Sequence, residues 1–398
     1  MKFLRRKLKN GMDVIFEKRE LPVVCLGIAN RFGAAYEKSE IKGVAHVIEH
    51  LLFTGTKNRT SKQISEEIEK KGGILNAFTS HETTCFWFKL PSEHTFSGLE
   101  ILSDMLNNPL FDIEKFEKEK KVILEEIKMY HDDPAMDVFN KIEQCLYEKP
   151  FGELVIGNSK SVSGLKRDEV VKIFKENYNP KNYIACIVGN VDFDKVCEFL
   201  ESNFKGNKAV PKELPIKKIN KDIKEEREGI DQANFVIGFH APLSNEDEFF
   251  ALRVLDSYLA YGMSSPLFIE VREKRGLAYS VRSSIESEKE YAYYTIYAGT
   301  MKDKIDEVKR IILEEIDKVK NITDKQIEEA KETLRGLRKI SKEESINVMN
   351  KILFEELAGK AEDYYNFEKK IDSVTISDVK KMAKKLLEKY SVATIVPK

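Results

Sequence analysis

His46-Val47-Ile48-Glu49-His50, set in the run Gly43-Val44-Ala45-His46-Val47-Ile48-Glu49-His50-Leu51-Leu52-Phe53, is the stretch on which the reading of this chain turns. Two histidines four apart on a helix share one face, one turn above the other. Both imidazoles can then grip a single metal ion, with Glu49 beside them to handle a proton. The order His-x-x-Glu-His reverses the commoner His-Glu-x-x-His arrangement and is a catalytic metal signature in its own right.

Upstream, Lys7-Leu8-Lys9-Asn10-Gly11-Met12-Asp13-Val14-Ile15-Phe16 reads as a hairpin with a type I′ turn at Asn10-Gly11. Val23 to Arg31 reads as a second apolar strand. Downstream, Thr60-Ser61-Lys62-Gln63 opens a helix that stops at Gly72-Gly73. Ile74–Thr79 and Thr84–Leu90 are expected strands, and three helical segments fill Ser97 to about Glu148. A helix (Arg167–Tyr178), a strand (Tyr183–Val188) and a helix (Phe193–Phe204) complete a first domain at 1–210.

Residues 211–225, rich in Lys and without periodicity, are read as a linker. In 226–398 the order repeats: strand Phe235–Phe239, helices Glu246–Tyr261 and Ser265–Lys274, strands Leu277–Ile285 and Ala292–Tyr297. Helices Lys304–Val319, Asp324–Lys339 and Ser377–Lys389 and a strand Val392–Val396 follow. Ile68–Gly73 resembles Val271–Gly276, and Phe111–Phe116 resembles Ile322–Ile327, at an offset a little over 200. A duplicated α+β fold is expected, each copy a mostly antiparallel sheet covered by helices on one face. Asp256-Ser257-Tyr258-Leu259-Ala260 stands roughly where the first copy has its histidines, so metal chemistry belongs to the first copy.

At 398 residues the chain fits two or more domains. Its 66 basic and 67 acidic residues leave a net charge of −1, with no global field to attract nucleic acid or anionic lipid. No apolar run is long enough to span a membrane, and the basic start Met1–Lys7 is not followed by an apolar signal core. A cytoplasmic location is expected. Cys25, Cys85, Cys145, Cys186 and Cys197 are scattered and odd in number, so reduced core thiols are expected. His81, His94, His131 and His240 are isolated and carry no metal spacing.

A catalytic zinc takes three protein ligands and keeps one position open. The third must come from elsewhere. Phe116–Ile127 is an acidic helix in which Glu119 and Glu126 lie two turns apart on one face, and spacing alone does not choose among its glutamates.

Together, His46–His50, Leu51–Thr56, Gly72–Thr79 and Val122–Glu126 resemble the pitrilysin, insulinase and mitochondrial processing peptidase family of zinc metallopeptidases. The likeness extends to Met263–Phe268 and Arg272–Val281. Pro266 and Ala260-Tyr261-Gly262 depart from the family's pattern in one loop. The resemblance implies one zinc per chain, held by His46, His50 and Glu126, with Glu49 as general base and Glu119 orienting a ligand. It implies that Asn76 and Ala77 lie on an edge strand to which a peptide substrate adds, and that Arg272 and Tyr279 contact substrate and help stabilise the oxyanion. Longer family members carry four such domains, so a two-domain chain is expected to close a chamber as a homodimer. A leader-processing peptidase, a catalytically silent subunit and a structural zinc module are the rival readings.

Overall fold

The hairpin forms, but around a wider turn. In the computed structural model, which describes residues 2–206, 211 and 214–398, β1 (Lys2–Lys7) pairs antiparallel with β2 (Asp13–Lys18) across a five-residue connection. Gly11 takes the left-handed backbone, φ 92°. Asn10 does not; its side chain instead caps Met12 N–H and donates to the Leu200 and Phe204 carbonyls. A type I′ turn needs positive φ at both residues, so these tertiary bonds decide the turn.

The first sheet adds β3 (Val23–Asn30), β4 (Ile74–Thr79), β5 (Thr84–Pro91) and β6 (Tyr183–Gly189) in the order β1-β2-β6-β3-β5-β4. Only the β2–β6 pair is parallel. Alternation along β3 turns Val24, Leu26 and Ile28 into a core with Val47, Ile48 and Leu51 of α1 (Val44–Leu52). That core also takes Ile64 of α2 (Ser61–Glu69), Leu99 and Leu102 of α3 (Thr95–Asn107), and Phe116 and Ile123 of α4 (Ile113–Asp132).

The second sheet consists of β7 (Ile223–Arg227), β8 (Ala233–His240), β9 (Ala278–Ser287), β10 (Ala292–Thr300) and β11 (Ser391–Pro397), ordered β7-β11-β8-β10-β9. Only β7–β11 is parallel. With β1 set aside, strand order and the sense of every pair match the first sheet. The fold is a duplicated α+β domain. The match also accounts for β7: it is the counterpart of β2, although its sequence straddles the end of the expected linker at 225. Residues 212 and 213 of that linker, and 207–210 before it, lie outside the described residues.

Compact units differ from the sequential division at 210 and 226. One comprises Met1–Lys128, Glu153–Pro215 and Lys342–Phe354; the other comprises Met129–Gly152, Ile216–Ser341 and Glu355–Lys398. The second unit thus takes a whole helix, and the first most of one, from the other half of the sequence. In the second, α5 (Pro134–Leu146) lies on the sheet face opposite the main core, with Ile142 over Gly238. A Cβ at Gly238 would come within 2.4 Å of Ile142. In the first, the helix Ser345–Ala358 sets Met349 over Gly27 in the corresponding strand. The covering helices expected on one face are therefore joined by one helix on the other.

The N-terminus of α1 is fixed by residues from outside it. Gly43 precedes the helix at φ 95° and offers no side-chain cap. A Cβ there would meet the Ile156 carbonyl oxygen at 2.5 Å. Glu37 supplies the cap, accepting Gly43 N–H at 2.8 Å and Ala45 N–H at 2.6 Å. Lys42, buried with it, lies 3.8 Å from the carboxylate and donates to the Ala34 carbonyl. Burial pushes the Glu37 carboxyl up, opposed by Lys42 and the two N–H donors. Replacing one partner of such a buried set leaves charge and donors uncompensated. Glu37→Ala should therefore cost about 3 kcal/mol in thermal or denaturant unfolding; an unchanged midpoint would contradict this role.

Candidate metal centre

Helix α1 is buried except for Glu49 and His50, which form a narrow strip at its surface. His46, one turn back, is only 8% exposed. The imidazole centroids of His46 and His50 lie 4.6 Å apart. Across from them α4 presents Glu126, whose Oε2 lies 3.8 Å from His46 Nε2 and 3.6 Å from His50 Nε2. Glu119, two turns earlier on α4, meets the other side of the His50 ring at Nδ1, 3.2 Å away.

These three donor atoms fit a metal. Their mutual distances, all within 4.8 Å, are too long for hydrogen bonds. They are near the roughly 3.3 Å expected between tetrahedral N and O ligands about 2.05 Å from a zinc. Two imidazoles and one carboxylate are also the donor set of catalytic zinc. Burial, with the neighbouring His50, pushes the His46 imidazole down to about 3, which keeps it the neutral base that a metal requires. Burial lowers His50 too, but the Glu119 hydrogen bond and the charges of Glu126 and Glu49 outweigh it, and its pKa is raised. With Glu119 on Nδ1, Nε2 is left toward Glu126.

Glu49 accepts a hydrogen bond from the Thr79 hydroxyl at the end of β4. Burial raises its carboxyl pKa, against that bond. Thr79 was not singled out in the sequence; it ends the Ile74–Thr79 strand, and a hydroxyl there carries no pattern of its own. Asn76 and Ala77 lie on β4, an edge of the first sheet, and the Asn76 side-chain oxygen accepts the Ala77 N–H at 2.8 Å.

In the second unit, Arg272 and Tyr279 come together. Arg272 lies in a π-helical turn (Phe268–Glu273), its guanidinium 4.9 Å from the Phe268 ring centre and 5.0 Å from that of Tyr279. Tyr279 is skipped in the β9–β10 register, where Gly299 faces Ser280 and Thr300 faces Ala278. Such a bulge re-aims a side chain, and Tyr279 is 78% exposed. His131, Asp137 and Glu225 also approach one another, but Arg227 holds Asp137 at 2.7 Å and Lys141 holds Glu225 at 2.6 Å. His240 bonds the Ile219 carbonyl. No helix among the described residues is long and apolar enough to cross a membrane.

A duplicated α+β fold with an inverted His-x-x-Glu-His helix in its first copy defines the class of the inverted-motif metallopeptidases. Residues 14–158 match the family model described as insulinase (peptidase family M16), and residues 164–334 match that of the peptidase M16 inactive domain. A protein of Rickettsia felis named as an uncharacterized zinc protease is 34% identical over 78% of this chain and 76% of its own length. One of Bacillus subtilis, similarly named, is 30% identical over 99% of this chain and 98% of its own. A protease from Helicobacter pylori has the same fold, with a TM-score of 0.93 at 21% identity over 100% of this chain and 99% of that one. The chain belongs to the insulinase, or M16, peptidase family.

Within the site the two glutamates stand differently: Glu126 faces Nε2 of both imidazoles, and Glu119 faces Nδ1 of His50. Glu126→Gln should weaken zinc binding well beyond the roughly 10–100-fold loss expected for an orienting partner such as Glu119. Competitive metal titration of the two variants decides this, and equal or reversed losses would exchange their roles.

Proposed function

We propose that this chain is a zinc endopeptidase that cuts peptides or unfolded segments inside a chamber closed by two copies of itself. The observation that carries the reading is the convergence of His46, His50 and Glu126 with Glu49 on the same helix strip. Zinc held by those three residues supplies a Lewis acid that polarises a peptide carbonyl and acidifies water. Glu49 takes the proton of the attacking water and delivers it to the leaving amine. Its raised pKa, caused by burial, suits a group that must both accept and release a proton. Thr79 occupies Oε2 of Glu49, which leaves Oε1 as the acceptor. Glu119 keeps the Nδ1 proton of His50 and so presents Nε2 as a ligand.

An extended substrate adds to the open edge of β4 beside Asn76 and Ala77, where main-chain hydrogen bonds hold it irrespective of sequence. Arg272 and Tyr279, supplied by the second copy, bind substrate and stabilise the developing oxyanion. The family's inactive-domain description falls on residues 164–334, which carry no His-x-x-Glu-His. A wholly silent chain would lack a ligand or the base in the first half, and this one has both.

Glu49→Gln should abolish cleavage of a mixed peptide library while retaining about one zinc per chain. Loss of the metal in that variant would make Glu49 a ligand instead of a base. Mixing inactive Glu49→Gln and Tyr279→Phe chains should restore one working site per heterodimer. Activity at background, with subunit exchange demonstrated by labelled chains, would exclude the shared site.

A further inference from the structure

Beside the metal-ligand cluster, a cavity of about 340 Å3 opens between the C-terminal turn of α1 and the first half of α4. Its wall combines Glu49 and His50 with Phe53, Lys115, Lys118 and Glu119. Lys115, Lys118 and Glu119 share one face of α4 with Glu126, spaced by three, four and eleven residues from Lys115. The lysines therefore belong to the same helix face as the ligand.

The wall holds two carboxylates and two ammonium groups, and no ion pair joins them among the described residues. Both carboxylates are already engaged: Glu119 with His50 Nδ1 at 3.2 Å, and Glu49 with the Thr79 hydroxyl. Lys115 donates to the Thr54 carbonyl, which pins its ammonium at the cavity without neutralising it. Lys118 is exposed and forms no ion pair among the described residues. Elsewhere on α4, Lys120 and Lys128 do find glutamate partners, at 3.5 and 2.6 Å. Two ammonium groups without carboxylate partners, sharing the cavity wall with Phe53 and the proposed base, are arranged to receive an anion.

Resting on the endopeptidase reading, we propose that this cavity is a specificity pocket for a substrate carboxylate next to the scissile bond. The volume suits one side chain or chain end rather than a folded segment. Lys118 supplies the attraction, Lys115 the fixed second charge, and Phe53 the packing for the methylenes that carry the carboxylate.

The test uses zinc-loaded Glu49→Gln protein and dye-labelled peptides, read by fluorescence anisotropy. Glutamate, glutamine and lysine are scanned through an otherwise uncharged, C-terminally amidated peptide, and a second series ends in a free carboxylate at each successive length. At one position glutamate should bind about tenfold tighter than glutamine. A gain only in the second series assigns the pocket to the chain's own C-terminal carboxylate; a gain in the first assigns it to an acidic side chain. In Lys118→Glu protein the ranking of glutamate and lysine at that position should reverse. Equal affinities throughout, or a glutamate preference that survives Lys118→Glu unchanged, would overturn the proposal. Cleavage of the uncharged parent peptide by the wild-type holoenzyme reports separately on the endopeptidase reading, whatever the binding series shows.

Discussion

The orientation of α1 about its own axis is the constraint on which the metal centre depends. A slip of one residue would turn both imidazoles by about 100° and carry them away from Glu126. The helix is held against that slip by the burial of Val44, Val47, Ile48, Leu51 and Leu52, each contributing roughly 1.5–3 kcal/mol if fully removed from water. At its start, the Glu37–Lys42 pair and the close approach of Gly43 to Ile156 fix the axial position. What remains open is the strip of Glu49 and His50, with His46 just beneath it. Core packing here is thus also the positioning of the two imidazoles opposite Glu126.

The duplication explains how one sheet can be specialised while the other is not. Both copies share strand order and the position of their single parallel pair, so each meets the same packing demands. In the first copy the helix over the sheet carries two histidines. In the second, the corresponding helix Asp247–Leu259 carries Asp256, which accepts a hydrogen bond from Ser283 at 2.5 Å. At the edge of its sheet the second copy instead carries a bulged Tyr279 beside Arg272. The placement of α5 in one unit and of Lys342–Phe354 in the other makes each compact unit depend on sequence from the far half of the chain.

Sequence periodicity was enough to expect most strands and long helices here, because apolar alternation and capping residues are local. The spacing of His46 and His50 is likewise local, a matter of helical pitch. Glu126 is not, since its partnership with α1 arises only when α4 packs across it, and spacing left it level with its neighbours. β7 was hidden for a related reason: Ile-Lys-Glu-Glu-Arg reads as solvated chain, and it becomes a strand only by adding in parallel to β11. The helix Ser345–Ala358 is not legible in the sequence because it is defined by the sheet face that it covers. Asn10-Gly11 had the right composition for a tight turn but was overruled by bonds to the Leu200 and Phe204 carbonyls.

The central claim is that two imidazoles from α1 and one carboxylate from α4 make a three-residue site for zinc. X-ray absorption at the zinc edge of the metal-loaded protein tests it most directly. The account predicts a shell of nitrogen and oxygen at about 2.0–2.1 Å, with the outer-shell scattering of two imidazoles. A sulfur shell near 2.3 Å, which would require one of the five buried cysteines, or scattering from fewer than two imidazoles, would contradict it.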